Sequence, residues 1–373
     1  MKKIGILTIN DYNNYGNRLQ NLAVQEVLRS LGCTAETVVN NTPYNFRNVE
    51  EKTLLRRLGA LGKMAPKEVI LKVNRYIARK KFGKYTAERI AAFRGFTNSY
   101  ITETEFKISE GHVPSTLADQ YDSFVTGSDQ VWNPIYRQGS SIDFIAFAPS
   151  SKRVAYAPSF GVSEIPSEYN EMYKRWLSEM GRLSVREEAG ATLIKKLTGK
   201  DAVVLVDPTL MLTREKWLRF SKEAANKPKG KYLLTYFLGK QSAETLSAIQ
   251  AIAKEHELKI ISLADTADLG TYVTGPSEFI DYIRSSTAFF TDSFHGAVFS
   301  ILFEKSFTVF GRAGMNSRME TLLSTFKLAS RKWEDVSATG ELFHIDYSHV
   351  PDILEAERNK ALHYLREALS IKE

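Results

Sequence analysis

The sequence predicts an α/β protein built as two Rossmann-like domains. Strand-like apolar runs alternate with helix-like stretches, the pattern of a mainly parallel sheet covered on both faces. The alternation restarts after a polar interval at residues 221–231. A chain of 373 residues, 43% of them hydrophobic, also suffices for two cores.

Taken in order, Lys3–Ile9 is a first strand, and Arg18–Leu31 is a helix that Asn17 can cap and Gly32 can stop. Short strands over Asp122–Thr126, Arg153–Ala157, Arg182–Val185 and Ala202–Val206 complete the first half, residues 1–207. Pro208 stiffens the crossing into the second, 208–349. There the strand Tyr232–Leu238, the helix Ala243–His256 and the strands Lys259–Leu263 and Ala288–Thr291 follow. The tail reads as a helix over Asp352–Ser370, with Leu354, Leu362, Leu365 and Leu369 on an apolar side.

Charge is concentrated in one place. Lys52 to Arg94 carries thirteen Lys or Arg against Glu68 and Glu88, a local +11 in a chain whose net charge is +7. Val69, Val73, Tyr76 and Ile77 fall at helical spacing within it, as in a basic amphipathic helix. The plain reading is a solvated cationic face. The sharper one is peripheral contact with an anionic membrane or a lipid diphosphate. No nucleic-acid motif lies beside the patch. Cys33 is alone, so no intrachain disulfide is expected, and no stretch approaches the 18 apolar residues of a membrane span. The apolar part of MKKIGILTIN is too short for a signal-peptide core, so the expected place is the cytoplasm, at most at the inner membrane face. No histidine or cysteine cluster suggests a metal.

The chemistry concentrates in 287–310, TAFFTDSFHGAVFSILFEKSFTVF, which reads as strand, helix, strand with His295 at the carboxyl end of the first strand. Open α/β sheets bind ligands there. The free amides opening the next helix suit an anion, and Ser293, His295 and Gly296 lie at that turn.

TDSFHGAVFSILF resembles the C-terminal signature of the polysaccharide pyruvyl transferase family, which moves pyruvate from phosphoenolpyruvate onto sugar hydroxyls. NDYNNYGNRLQNLAV (Asn10–Val24), VTGSDQVWNP (Val125–Pro134), VAYAPSFG (Val154–Gly161), LSVREEAG (Leu183–Gly190), VLVDPTLML (Val204–Leu212) and NSRMETLL (Asn316–Leu323) resemble further segments of the family, in its order. The resemblance implies a GT-B-like arrangement with an interdomain cleft, the C-terminal helix 350–373 returning to the first domain. It also implies phosphoenolpyruvate as donor, no cofactor, and a saccharide acceptor, lipid-linked if the chain works at a membrane.

That donor carries a phosphate and a carboxylate, so its pocket needs fixed cations or N–H donors. Its enol ether becomes electrophilic only once protonated, so an acid and a base are needed as well. His295 is the expected proton-transfer group, with Asp129 a candidate base. Arg186, favoured as a ligand grip over a structural ion pair with Glu187 or Asp207, and Arg318 are the expected anion clamps, with Arg312 behind them. Ser293 and Gly296 complete the donor side. Asn14, Asn17, Ser128, Gln130 and Trp132 are expected on the acceptor side, Trp132 either stacking on a sugar or filling the core. Asp207 is expected to be mainly structural. Many family members have Arg-Leu-His where this chain has Ser293-Phe294-His295, which removes a cation from the donor pocket. Two other functions share the evidence: a nucleotide-sugar glycosyltransferase of the same fold, and a non-catalytic carbohydrate-binding or scaffolding protein.

Overall fold

The computed structural model describes residues 1–43, 66–312, 317–339 and 341–372, with side chains described outside 66–81 and 337–339. The start of the basic segment, 52–65, and the turn at 313–316 before Arg318 therefore lie outside the described residues.

The first half holds a parallel sheet of β1 (Lys3–Leu7), β2 (Thr34–Asn40), β3 (Glu103–Ile108), β4 (Ser123–Thr126) and β5 (Arg153–Ala155), in the order β3-β2-β1-β4-β5. A parallel bridge from Val154 to Arg182 leads to a small pair, β6 (Ser184–Val185) and β7 (Val203–Val204). The second half holds β8 (Tyr232–Tyr236), β9 (Lys259–Ser262), β10 (Ala288–Thr291) and β11 (Ser306–Val309), all parallel, in the order β11-β10-β8-β9.

Each order reverses once, between β1 and β4 and between β8 and β10. Ligands of open α/β sheets bind outside the carboxyl ends of strands at such reversals. Residues 8–14 and 127–130 leave the first reversal, and Asp292 to His295 leave the second.

Between the sheets lies α1 (Tyr15–Ser30), buried around most of its circumference because it serves both layers. Its cap is Asn14, whose side chain accepts from the Asn17 N–H. This corrects the expected Asn17 cap: the helix starts a turn earlier, leaving the Asn17 carboxamide free to accept from Asp11 N–H and to reach Asp129. Two of its buried polar residues pair with neighbouring strands, Arg18 with Glu103 at 2.8 Å and Gln25 with Thr37 at 2.9 Å, as burial demands. Tyr15 stacks on Phe279 of the second half, ring centroids 4.3 Å apart.

The basic stretch enters α2 (Pro66–Tyr100). From it Arg89, 2% exposed, donates to Tyr15 Oη at 2.7 Å and to the carbonyls of Asn13 and Tyr272 at 3.1 and 2.7 Å. One guanidinium thus joins both halves. No described helix is long and apolar enough to cross a membrane. After α3 (Glu188–Thr198), α4 (Pro208–Met211), α5 (Pro276–Ser285), α6 (Phe294–Leu302) and α7 (Ser317–Thr325), the chain ends in α8 (Val350–Ala368). That helix returns to the first half, where Tyr364 Oη donates to the Ala155 carbonyl at 2.8 Å, and it also touches the start of the second, where Arg358 Nε donates to the Leu210 carbonyl at 2.7 Å.

Candidate active site

β10 ends in Thr291, and the chain turns at once into α6 because Ser293 caps it, accepting the Gly296 N–H at 3.3 Å. The Asp292 carboxylate is spent within the second half, on the Leu238 and Gly239 amides at 2.7 Å each. Gly296 is not a donor contact: its N–H belongs to the cap, and an added Cβ would lie 2.9 Å from Thr291 Oγ1 and against Phe289, so it is glycine for packing. The turn projects His295 toward the first half. There a Cβ on Gly16 would fall 1.9 Å from His295 Nδ1, so α1 and the imidazole can meet only because residue 16 is glycine.

Across from His295 stands Asp207, which caps α4 and is fully buried. Its Oδ1 accepts from the Thr209 amide and hydroxyl at 2.9 and 2.6 Å; its Oδ2 accepts from Ser128 Oγ at 2.8 Å and Arg186 Nη1 at 2.6 Å. His295 Nε2 lies 3.6 Å from the same Oδ2, a charge contact longer than a hydrogen bond. Burial pushes the Asp207 carboxyl up, but His295, Arg186 and Thr209 together outweigh it and hold the group well below the usual carboxylate range.

Arg186 thus makes the ion pair with Asp207 that was ranked second for it, because both are buried at the same sheet edge. One nitrogen is consumed; Nε and Nη2 have no hydrogen-bond partner among the described residues, Nη2 lying 3.9 Å from Asp129 Oδ1. Arg318, near the start of α7, is also buried, its Nε without a partner among the described residues, and burial beside Arg186 lowers its pKa to about 10. Both guanidiniums face the Phe294 ring, their Cζ atoms 4.3 and 5.8 Å from its centre. His295 Nε2 is also buried and makes no hydrogen bond among the described residues, its nearby carboxylate being that of Asp207. Buried polar atoms are normally satisfied, so the open Arg186 and Arg318 nitrogens are the exception in this cleft. A cavity of about 100 Å³ opens where Arg186, Asp207, Phe294 and Arg318 meet, and one of about 220 Å³ where Arg312, Arg318 and Lys332 meet Asp292.

On the first-half side a third cavity, about 360 Å³, is lined by Asp11, Asn14, Asn17, Asp129, Gln130 and Tyr136. Asp129 has φ 69°, a left-handed conformation that costs energy and is frequent at functional sites. Asn17 Nδ2 donates to it at 3.3 Å. Burial raises the pKa of Asp11. Gln130 is anchored by Asn133 at 2.8 Å, and Ser128 by Asp207. Trp132 belongs to the core and not to the cleft: it is fully buried, stacks on Phe144 at 5.1 Å, and its Nε1 donates to the Asp143 carbonyl at 3.0 Å. Asp207, Gly16, Phe294 and Asp11 were not singled out as site residues from sequence. Asp207 carried one signal, an acid closing an apolar strand on the edge that also presents Arg186.

The two halves and the cleft between them define a GT-B-like protein, with buried arginines facing a polar pocket across that cleft. Residues 14–314 match the family model of polysaccharide pyruvyl transferases, and the chain belongs to that family. Among curated proteins none matches the sequence. Among solved structures it is similar to a UDP-N-acetylglucosamine 2-epimerase from Rickettsia bellii, with TM-score 0.54, 11% identity, and 99% of this chain and 97% of that one covered. It is also similar to S. aureus MnaA solved with UDP, with TM-score 0.52, 11% identity, and 100% and 98% covered. At that identity the likeness is one of fold.

Proposed function

We propose that the protein transfers pyruvate from phosphoenolpyruvate to a hydroxyl pair of a surface-polysaccharide precursor, closing a pyruvate ketal and releasing phosphate. The observation that carries this reading is the pair of buried arginines, Arg186 and Arg318, with open nitrogens over Phe294 and His295 beside them, in the cleft of a chain of this family. The two arginines grip phosphate and carboxylate, Arg318 supplying the cation that Ser293 does not. His295 protonates C3, which becomes a methyl group and leaves C2 cation-like. A first hydroxyl adds to C2, passing its proton to Asp129; a second hydroxyl then adds to C2, its proton leaving with phosphate as the C2–O–P link breaks. Cleft closure keeps water from the cation. The 360 Å³ cavity, with amides, carboxylates and Tyr136, has the composition of a sugar site. A lipid-linked acceptor would bring the basic segment 52–94 against an anionic membrane face.

The test pairs binding with turnover. Phosphoenolpyruvate should bind and uridine diphosphate sugars should not; the reverse would favour a glycosyltransferase, and silence toward both a scaffold. His295→Ala should keep donor affinity within about tenfold while phosphate release with acceptor falls at least 10²-fold. Undiminished turnover would remove His295 from the mechanism.

A further inference from the structure

Imidazole has two nitrogens, and their surroundings here differ. Nε2 is sealed in and faces Asp207 Oδ2 at 3.6 Å. Nδ1 faces the first turn of α1 at Gly16.

The geometry points to Asp207 as the positioning residue of His295: its carboxylate holds the proton on Nε2 and leaves Nδ1 to exchange protons with the substrate. This rests on the reading of His295 as the proton-transfer group. Asp207 suits the task because it cannot turn. Thr209 fixes one oxygen through two hydrogen bonds, and Ser128 and Arg186 fix the other, so the remaining approach to Oδ2 belongs to the imidazole. A ring nitrogen's tautomer is set by the acceptor opposite its partner nitrogen. Arg186 takes part twice, neutralising Asp207 through Nη1 while its Nε and Nη2 remain for the anion. Gly16 is the enabling residue, since any side chain there would displace the ring.

The experiment is nitrogen-15 spectroscopy of the full-length protein labelled in its histidine rings, with His295→Gln assigning the signal. The parent's neutral His295 should be the Nε2–H tautomer. In Asp207→Asn that preference should be lost and kcat should fall by tenfold or more, with the KM for phosphoenolpyruvate within about threefold; a merely structural Asp207 would leave the tautomer unmoved. An Nδ1–H tautomer in the parent overturns the proposal even if Asp207→Asn does not fold, and so does an unchanged tautomer in a folded Asp207→Asn. Pyruvate transfer by a parent with the Nδ1–H tautomer would sink the positioning role and leave the function intact. The expected tautomer without pyruvate transfer would do the opposite.

Discussion

At the scale of single residues, the cleft is governed by which charges are already matched inside the protein. Asp207 is matched on every side, and its depressed pKa has a measurable consequence. A carboxylate whose folded pKa lies below its unfolded value, about 3.9, contributes stability that is complete above that value and is lost as pH falls through it. Asp207→Asn should therefore destabilise the protein at pH 7, since it strands the buried Arg186. The gap between parent and mutant should then narrow below about pH 4, by up to about 1.4 kcal/mol per pH unit. Urea unfolding at pH 7, 5 and 3.5 checks this, and an equal gap at all three pH values would show that Asp207 is not held ionised by its partners. That His295, Arg186 and Arg318 meet at one cleft was legible in sequence because each sits in a motif at an element boundary. Trp132 was not, because a tryptophan after a strand end has the same spelling whether it stacks on a sugar or on Phe144. Gly16 was legible only as a turn residue, since the imbalance it relieves involves a ring 279 positions further along the chain.

At the scale of elements, the strands with unbroken apolar runs, such as Ala288–Thr291, were readable to the residue. β2 and β3 were not: in β2 the buried polar Thr37 and Asn40 interrupt the apolar run, and β3, the edge strand, leaves the middle of its length exposed. The early start of α1 escaped notice for a related reason. Asn14 and Asn17 are both competent caps three residues apart, and tertiary contacts to Asp11 and Asp129 choose between them. The basic helix α2 carries its own prediction. Each Lys or Arg near an anionic surface contributes about 1 kcal/mol, screened by salt over about 8–10 Å. Replacing Lys72, Arg75, Arg79 and Lys80 by glutamine should sharply reduce sedimentation with anionic vesicles at low salt, while activity on a short soluble acceptor is nearly unchanged. Equal sedimentation of parent and mutant across salt concentrations would return α2 to a solvated face.

At the scale of the whole molecule, the two-half α/β plan was legible because the alternation of elements stops and restarts, but the bonds that lock the halves together were not. Arg89 is an example. Among the thirteen basic residues of Lys52–Arg94, nothing in the spelling marks Arg89 as turning inward to Tyr15, Asn13 and Tyr272. Arg89→Ala should lower the unfolding free energy by about 2–3 kcal/mol, because it leaves buried carbonyls in both halves unpaired. It should also speed amide exchange at the α1 entry and around Thr274, where Tyr15 Oη donates to the Thr274 carbonyl at 3.0 Å. Exchange rates equal to the parent's would mean that the halves are held by apolar packing alone.

The return of α8 to the first half has a consequence for how the protein is made. Lys2 Nζ donates to the carbonyl of Leu369 at 2.6 Å, so residues 367 positions apart rest on each other. A ribosome therefore delivers the first sheet long before the helix whose Tyr364 contacts its Ala155. Until α8 emerges the first half must wait, stable enough not to aggregate yet unfinished. Nascent chains stalled before residue 350 should accordingly be cut by protease within the first half, and chains stalled with the tail clear of the exit tunnel should resist. Equal resistance at both lengths would show that the first half completes itself without α8.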